Sequence, residues 1–159
     1  MKMQIIETTN EYLAIEGYVF GSETRQPALT NNGTLFLQIQ AGTRPINLVF
    51  GANVESLTQI DSFIGGTLTT PTTLIPFNYK PSSAFTTSAI VRTATAATGL
   101  GAQRGQNQAG GGNVGNGVGG SVTGRPSTLT PGEVLTLRLT NLGGAAKSLS
   151  AGIYFTEVI

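Results

Sequence analysis

The sequence predicts an all-β fold, an antiparallel β-sandwich or jelly roll of about eight strands with a long Gly-rich loop insertion. Three observations predict this class. Apolar and polar residues alternate along most of the chain, turn-forming residues recur about every ten positions, and no stretch shows a sustained helical repeat. The chain has 159 residues, which is enough for one hydrophobic core, so we expect a single domain over residues 1–159.

Three strands are predicted in the N-terminal third of the chain, over residues 12–20, 34–40 and 46–50. In each of them apolar side chains recur at every second position, as on a half-buried strand. Asn32-Gly33 precedes the second strand and tolerates positive φ. This turn either opens that strand or closes a small hairpin ahead of it.

The middle of the chain is less regular. Residues 54–64 alternate as a strand does, but their apolar positions also fit helical spacing, and the neighbouring strands favour the strand. Residues 69–81 and 88–96 are rich in threonine and other β-branched residues, and the prolines in the first of these segments exclude a helix. Both are predicted as strands with edge character.

The clearest strand signal lies in the last quarter of the chain, after a turn at Pro131-Gly132. The residues predicted to face the core are Leu135, Leu137 and Leu139, and those predicted to face solvent are Thr136, Arg138 and Thr140. A final strand follows, with its apolar face formed by Leu149, Ile153 and Phe155.

Residues 99–124 hold eleven of the 22 glycines and few large apolar side chains. Such a segment buries too little surface to offset its ordering entropy, so we expect an extended loop between two sandwich strands. Gly115, Gly117 and Gly120 match the GxGxxG spacing of dinucleotide sites, but no helical pattern follows them, which argues against a cofactor. We expect this loop to lie across a neighbouring protein. The predicted partner contacts, in the loop and at both termini, are Arg104, Gln106, Asn107, Gln108, Asn113, Asn116, Met1, Lys2 and Ile159.

Charge and composition argue against several classes of function. With no cysteine and no histidine, the chain has no disulfide, thiol nucleophile, ordinary zinc site or Ser-His-Asp triad. We therefore expect no enzyme, no metal and no cofactor. The net charge is +1, the basic residues are scattered and no long apolar run occurs, so neither nucleic acid nor a membrane is an expected partner. Four residues are predicted to be solvated surface charges, namely Glu55, Asp61, Arg92 and Arg138.

Two stretches, residues 65–83 and 129–158, resemble jelly-roll decoration, or cement, proteins of tailed bacteriophages. The first has a Gly-Thr-rich turn that leads to Phe77-Asn78-Tyr79, and a Gly-rich loop follows it. The second has a strand of the pattern L-x-P-G followed by R-x-T-N, and then a final aromatic-x-E strand. The matching residues of this second stretch are Leu129, Pro131, Gly132, Leu135, Arg138, Thr140, Asn141, Phe155 and Glu157.

The resemblance implies a structural virion protein that binds and bridges major capsid protein subunits and thereby stabilises the head. It implies a position on the outer capsid surface after synthesis in the host cytoplasm, and a homo-oligomer, either a dimer or a trimer. An alternative function is a carbohydrate-binding or host-recognition module on a phage tail or fibre. Sugar sites usually stack sugars on exposed aromatic rings, and the absence of Trp and the presence of only four Tyr argue against this alternative.

Overall fold

The computed structural model describes residues 16–110, 120–123 and 127–158. Within these residues all pairings between strands are antiparallel, and no helix is long and apolar enough to cross a membrane. The strands are β1 Val19–Leu29, β2 Thr34–Gln40, β3 Ile46–Val54, β4 Thr58–Ile64, β5 Thr67–Leu68, β6 Thr72–Leu74, β7 Phe77–Asn78, β8 Ile90–Ala94, β9 Ala97–Gly99, β10 Ala102–Ala109, β11 Gly120–Thr123, β12 Ser127–Leu129, β13 Val134–Asn141 and β14 Lys147–Glu157.

The longer strands form a two-sheet sandwich in jelly-roll order. The first sheet is ordered β11-β3-β14-β1-β7, with β12 also paired to β3, and the second is ordered β10-β4-β13-β2-β8-β6. If β11 and β12 are taken as one position beside β3, the framework consists of β1, β2, β3, β4, β10, β11/β12, β13 and β14. Successive framework strands alternate between the sheets except at β4 and β10, which pair with each other. This order is that of a jelly roll, and it confirms the fold class predicted from the sequence.

The core lies between the two sheets, because every second side chain of the framework strands points inward. Phe20 of β1 stacks on Phe155 of β14 with ring centroids 5.5 Å apart. The alternation in the sequence correctly predicted the buried faces of β2, β13 and β14, which are formed by Leu35, Leu37, Ile39, Leu135, Leu137, Leu139, Leu149, Ile153 and Phe155.

A third layer covers part of the outer face of the second sheet. It is the small two-stranded sheet of β5 and β9, which belongs to the long connection between β4 and β10. Leu68 of β5 packs with Phe36 and Ala94 in a second apolar cluster outside the main core. The second sheet is therefore buried on both faces at this place.

The alternation along β13 predicts that Thr136 faces solvent. Because of this layer, Thr136 is instead fully buried. Its hydroxyl donates to the carbonyl of Gly65 at 2.7 Å and accepts from Gln38 Nε2 at 2.8 Å. Gln38 Nε2 also lies 3.2 Å from the carbonyl of Gly66. The polar face of β13 is thus used to hold the connecting chain, and the prediction for Thr136 is wrong.

Two buried polar residues of the segment 129–158, Asn141 and Glu157, hold loops to the strands by hydrogen bonds. The side-chain amide of Asn141 is fully buried and donates to the backbone carbonyls of Leu29 and Thr30, at the end of β1, and of Ala145. Glu157, 2% exposed, accepts from Thr87 Oγ1 and from Ser88 N, both at 2.6 Å. Arg44 forms an ion pair with the same carboxylate at 3.5 Å. These residues fix loops to the framework.

Several strand boundaries differ from the predicted ones. The first strand spans Val19–Leu29 rather than 12–20, and residues 12–15 lie outside the described residues. The polar run from Ser22 to Gln26 conceals this strand in the sequence, although each of these residues pairs with β14. In segment 54–64, Val54 ends β3 and Thr58–Ile64 form β4, so the strand prediction is confirmed except at residues 55–57, where the chain bends between the two strands.

The turn at Asn32-Gly33 opens the second strand, with Asn32 at φ 60°. It closes no hairpin, because β1 and β2 lie in different sheets. The predicted edge segment 69–81 contains the short strands β6 and β7, each at the edge of its sheet. Segment 88–96 contains β8, which pairs with β2 on one side and β6 on the other, so the prediction of edge character is wrong for this segment.

The predicted Gly-rich loop is shorter than residues 99–124. Its first part forms the eight-residue strand β10, and Gly120–Thr123 forms β11. Residues 111–119, which include Gly115 and Gly117 of the GxGxxG match, lie outside the described residues. An edge strand can form through backbone hydrogen bonds to a single neighbouring strand, with little burial of apolar side chains. The polar sequence of β10 therefore lacks the apolar alternation by which a strand is predicted.

Candidate functional site

The predicted contact residues that the structure describes all lie on β10. All residues from 102 to 108 are exposed, and these include the predicted contacts Arg104, Gln106, Asn107 and Gln108. β10 is an edge of the second sheet, and no described strand pairs with its outer side. The other predicted contact residues lie outside the described residues, and these are Met1, Lys2, Asn113, Asn116 and Ile159.

The strand β10 is fixed to β4 along its whole length. Seven residue pairs join the two strands, from Ala102 opposite Ile64 to Ala109 opposite Thr58, with an irregularity between Gln103 and Gly105. An edge that is paired so continuously keeps one shape. It presents a row of hydrogen-bonding side chains and backbone groups in a fixed geometry.

Two glycines mark the ends of β10. Gly101 precedes the strand at φ 74° and Gly110 follows it at φ 70°. A Cβ atom on Gly101 would collide with the carbonyl of Ile64, and one on Gly110 would collide with the carbonyl of Ser56. Both positions therefore require glycine for two reasons, namely the left-handed conformation and the close approach of another backbone.

Asp61 anchors this edge from inside. Its carboxylate is fully buried and accepts from Arg138 Nε at 3.0 Å and from Arg138 Nη2 at 2.6 Å. Gln59 Nε2 reaches both carboxylate oxygens, and Gln103 Nε2 of β10 donates to Oδ1 at 3.3 Å. The guanidinium of Arg138 also lies 5.3 Å from the centroid of the Phe63 ring. The carboxylate thus links three strands.

The predictions for Asp61 and Arg138 as solvated charges are therefore wrong. The two residues are directly opposite each other on β4 and β13, a proximity that only the strand register creates. Glu55 is exposed, and its carboxylate accepts from the backbone N of Ser148 at 2.9 Å. Arg92 is half-buried and donates to Gln40 at 3.3 Å.

A second candidate site lies on the outer face of the first sheet, where three aromatic rings are exposed. Phe77, Tyr79 and Tyr154 are 45%, 45% and 39% exposed. The centroid of Tyr79 lies 5.3 Å from that of Phe77 and 5.9 Å from that of Tyr154. Phe77 packs over Gly21, where a Cβ would lie 2.6 Å from the ring.

The hydroxyl of Tyr154 donates to Glu23 Oε1 at 2.9 Å. This hydrogen bond, with desolvation and the nearby Tyr79 and Glu23, raises the pKa of Tyr154 to about 12. Partial burial is the main cause that raises the pKa of Tyr79. Both phenols are therefore protonated at neutral pH, and Tyr154 holds the Glu23 carboxylate in one orientation.

Beside these rings runs a groove of about 450 Å³, which we call the cross-strand groove. Its floor is the row formed by Gly152 and Gly51, which are directly paired, with Glu23 at the β1 end of the row. Tyr154, two residues along β14, forms one wall. The opposite wall is the next outward row, formed by Arg25, Ser150 and Asn53.

The sequence gives little sign of this groove. Gly51 and Gly152 are far apart in the chain, and only the pairing of β3 with β14 places them side by side. The usable signal is the -G-x-Y- spacing of Gly152 and Tyr154, which puts a ring next to a missing side chain on one face of a strand. Among the described residues, no group of three or more acidic, Cys or His side chains is arranged to hold a metal ion.

No protein-family model matches the chain, and no curated protein sequence matches it. Weak structural neighbours include viral capsid proteins and a phage module. The chain is similar to the structure of Broad Bean Stain Virus, with 7% identity, coverage of 89% of this chain and 90% of the other, and a TM-score of 0.27. It is also similar to the CBM2 module of the evolved Dit of Lactobacillus casei BL23 phage J-1, with 10% identity, coverage of 87% of this chain and 70% of the other, and a TM-score of 0.25. A third similar structure is that of the T=1 particles derived from infectious bursal virus, with 14% identity, coverage of 89% of this chain and 40% of the other, and a TM-score of 0.21. These scores assign no family, so the function has to be argued from the surfaces of the chain itself.

Proposed function

We propose that the protein is a structural virion protein, a capsid decoration protein that binds and bridges major capsid protein subunits on the outside of the head. The observation that carries this proposal is the exposed edge strand β10. The resemblance of residues 65–83 and 129–158 to jelly-roll decoration proteins supports it. A dimer or trimer on the capsid surface remains a prediction.

Edge strands of monomeric proteins are usually protected against pairing by lysines, prolines or covering loops. β10, with the sequence AQRGQNQA, has no lysine and no proline, and its single charge is Arg104. An extended segment of a capsid subunit can add to such an edge, with main-chain hydrogen bonds for affinity and side chains for specificity. Gln106, Asn107 and Gln108 supply amides that both donate and accept hydrogen bonds.

The rigidity of β10 favours such a contact. Gly101, Gly110 and the buried Asp61 network hold the strand in place, so little conformational entropy is lost when a partner binds. On a capsid the same contact is repeated at many equivalent positions. A protein that touches two neighbouring subunits, or that forms an oligomer, then gains affinity through multivalency even if each contact is modest.

The test uses heads of the encoding phage that have been purified without this protein. We expect the wild-type chain to cosediment with them and to raise their resistance to heat. The double variant Gln106→Lys/Gln108→Lys places two charges on the edge and should bind at least about tenfold more weakly.

The matched control is Thr72→Lys/Thr73→Lys, at two exposed positions on β6, the opposite edge of the same sheet. It adds the same charge and should bind like the wild type. Failure of the wild-type chain to bind heads would refute the decoration function. Equal weakening in both double variants would leave binding established but exclude β10 as the contact.

A further inference from the structure

We propose that the cross-strand groove on the first sheet is a binding site for a neutral saccharide. This site lies on a different sheet from β10 and does not depend on attachment to a capsid. Three features carry the proposal, namely the shape of the floor, the balanced charges of the walls and the exposed aromatic rings.

The floor has no side chains of its own. Gly152 and Gly51 are opposite each other on the two central strands β14 and β3, so two adjacent outward positions carry no side chain. The rows on either side carry Tyr154 and, across the groove, Ser150 and Asn53. The resulting volume of about 450 Å³ lies within the range of small-molecule sites, which is about 300–1,000 Å³.

The charges in the groove favour a neutral ligand. Glu23 and Arg25 both line it, so one carboxylate and one guanidinium balance each other. A strongly anionic or cationic ligand would meet one like charge, whereas hydroxyl groups can accept from Arg25 and donate to Glu23. Asn53 and Ser150 add groups that both donate and accept. A polyhydroxyl compound satisfies this mixture.

Both charged groups are already oriented. Tyr154 donates to Glu23 Oε1 at 2.9 Å, and Arg25 Nε donates to Ser148 Oγ at 3.1 Å. Each bond uses only part of the hydrogen-bonding capacity of the group, since a carboxylate has about four acceptor sites and a guanidinium five N–H groups. The remaining capacity is available to a ligand without a large entropic cost of ordering long side chains.

The aromatic wall distinguishes a sugar from other neutral polar ligands. Tyr154 borders the groove, and Tyr79 extends the same cluster with 45% of its surface exposed. Exposed rings that are held by neighbours present a flat apolar surface next to polar groups. A pyranose ring has this combination too, because its C–H face is apolar and its edge carries hydroxyl groups.

The test is a titration of the isotopically labelled full chain, followed by amide NMR, with the methyl glycosides of glucose, galactose, mannose and N-acetylglucosamine. We expect at least one of them to cause saturable shifts at Gly51, Asn53, Ser150 and Gly152. Sialic acid and glucosamine serve as charged probes, which should bind more weakly than the neutral ligand.

Gly152→Ala places a Cβ in the floor, 3.3 Å from Glu23 Cγ, and Tyr154→Ala removes the wall. Each should weaken binding at least about tenfold. The control is Gly99→Ala, since a Cβ there meets nothing within 4 Å. The same spectra show whether each variant is folded.

Absence of localised shifts with all four neutral glycosides would overturn the proposal, and so would binding of charged probes alone. Unchanged affinity in a folded Gly152→Ala would also overturn it. This outcome is separate from the capsid test, because the Gln106→Lys/Gln108→Lys variant leaves the groove intact and should still bind the glycoside.

Discussion

Asp61 shows how strongly the role of one residue depends on the strand that pairs with it. In the sequence it is an isolated acid, whereas in the fold it is a fully buried carboxylate that receives hydrogen bonds from Arg138, Gln59 and Gln103. A buried charge is tolerated only when its partners are in place. The local sequence contains no information on a residue 77 positions away, which is why the alternation alone predicts a solvated acid.

Arg138→Ala should therefore destabilise the fold by about 3 kcal/mol, because it leaves the buried carboxylate of Asp61 without its cationic partner. Chemical denaturation measures this change. Arg92→Ala on β8 is the matched control, since within the part of the chain that the structure describes Arg92 has one side-chain hydrogen bond, to Gln40, and no ion pair. It should cost about 1 kcal/mol or less. Equal losses in the two variants would show that the Asp61 network contributes no special stability.

The pKa of Tyr154 gives a second test at this scale. The hydrogen bond to Glu23 is the largest cause, and with desolvation and the nearby Tyr79 and Glu23 it raises this pKa from 10.0 to about 12, so the folded state favours the protonated phenol. This contribution to stability is present below pH 10 and is lost as the pH rises toward 12. The difference in phenolate absorbance between wild type and Tyr154→Phe should rise near pH 12.

Glu23→Gln removes the anionic acceptor and should move that absorbance step to lower pH. A step near pH 10 in the difference between wild type and Tyr154→Phe would contradict the hydrogen bond between Tyr154 and Glu23.

At the scale of elements, strands with an inward apolar face were predictable and edge strands were not. β2, β13 and β14 alternate clearly because one face of each is in the core. β10 carries no such pattern, since its exposed side chains are mostly polar and it is held to β4 chiefly through its backbone. A Gly-rich, polar segment therefore forms a strand because it pairs with another strand, and the local sequence pattern does not predict which strand that is.

The glycines that frame β10 make this dependence testable. Gly101→Ala combines a strained positive φ with a collision against the carbonyl of Ile64, so it should release the start of β10 and cost about 2–3 kcal/mol. Amide hydrogen exchange along 102–109 should accelerate more than exchange elsewhere in the second sheet.

Gly144→Ala is the control for strain alone. Gly144 has a similar φ of 76°, but a Cβ there meets nothing within 4 Å. It should cost about 1 kcal/mol and leave exchange in β10 unchanged. If both variants had the same effect on β10, the contact between Gly101 and β4 would not hold the strand.

At the scale of the whole molecule, the fold class and four contact residues of β10 were predicted from the sequence, whereas the edge position of β10 and the cross-strand groove followed from topology. The jelly-roll order leaves β10 at one edge of the second sheet and places β14 between β1 and β3 in the first. The first arrangement creates the proposed capsid contact, and the second creates the groove floor from Gly51 and Gly152. Residues that come together only through pairing of distant strands are beyond local pattern analysis.

The connection between β4 and β10 begins and ends at neighbouring points of the second sheet. Gly65 follows β4, Gly101 precedes β10, and a Cβ on Gly65 would lie 3.8 Å from the Cα of Gly101. Because its two ends are so close, this connection departs from the sandwich and rejoins it without breaking the pairing of β4 with β10. Its replacement would remove β8 with the buried Val91 and the two residues that donate to Glu157, Thr87 and Ser88, so the fold itself depends on this excursion of the chain.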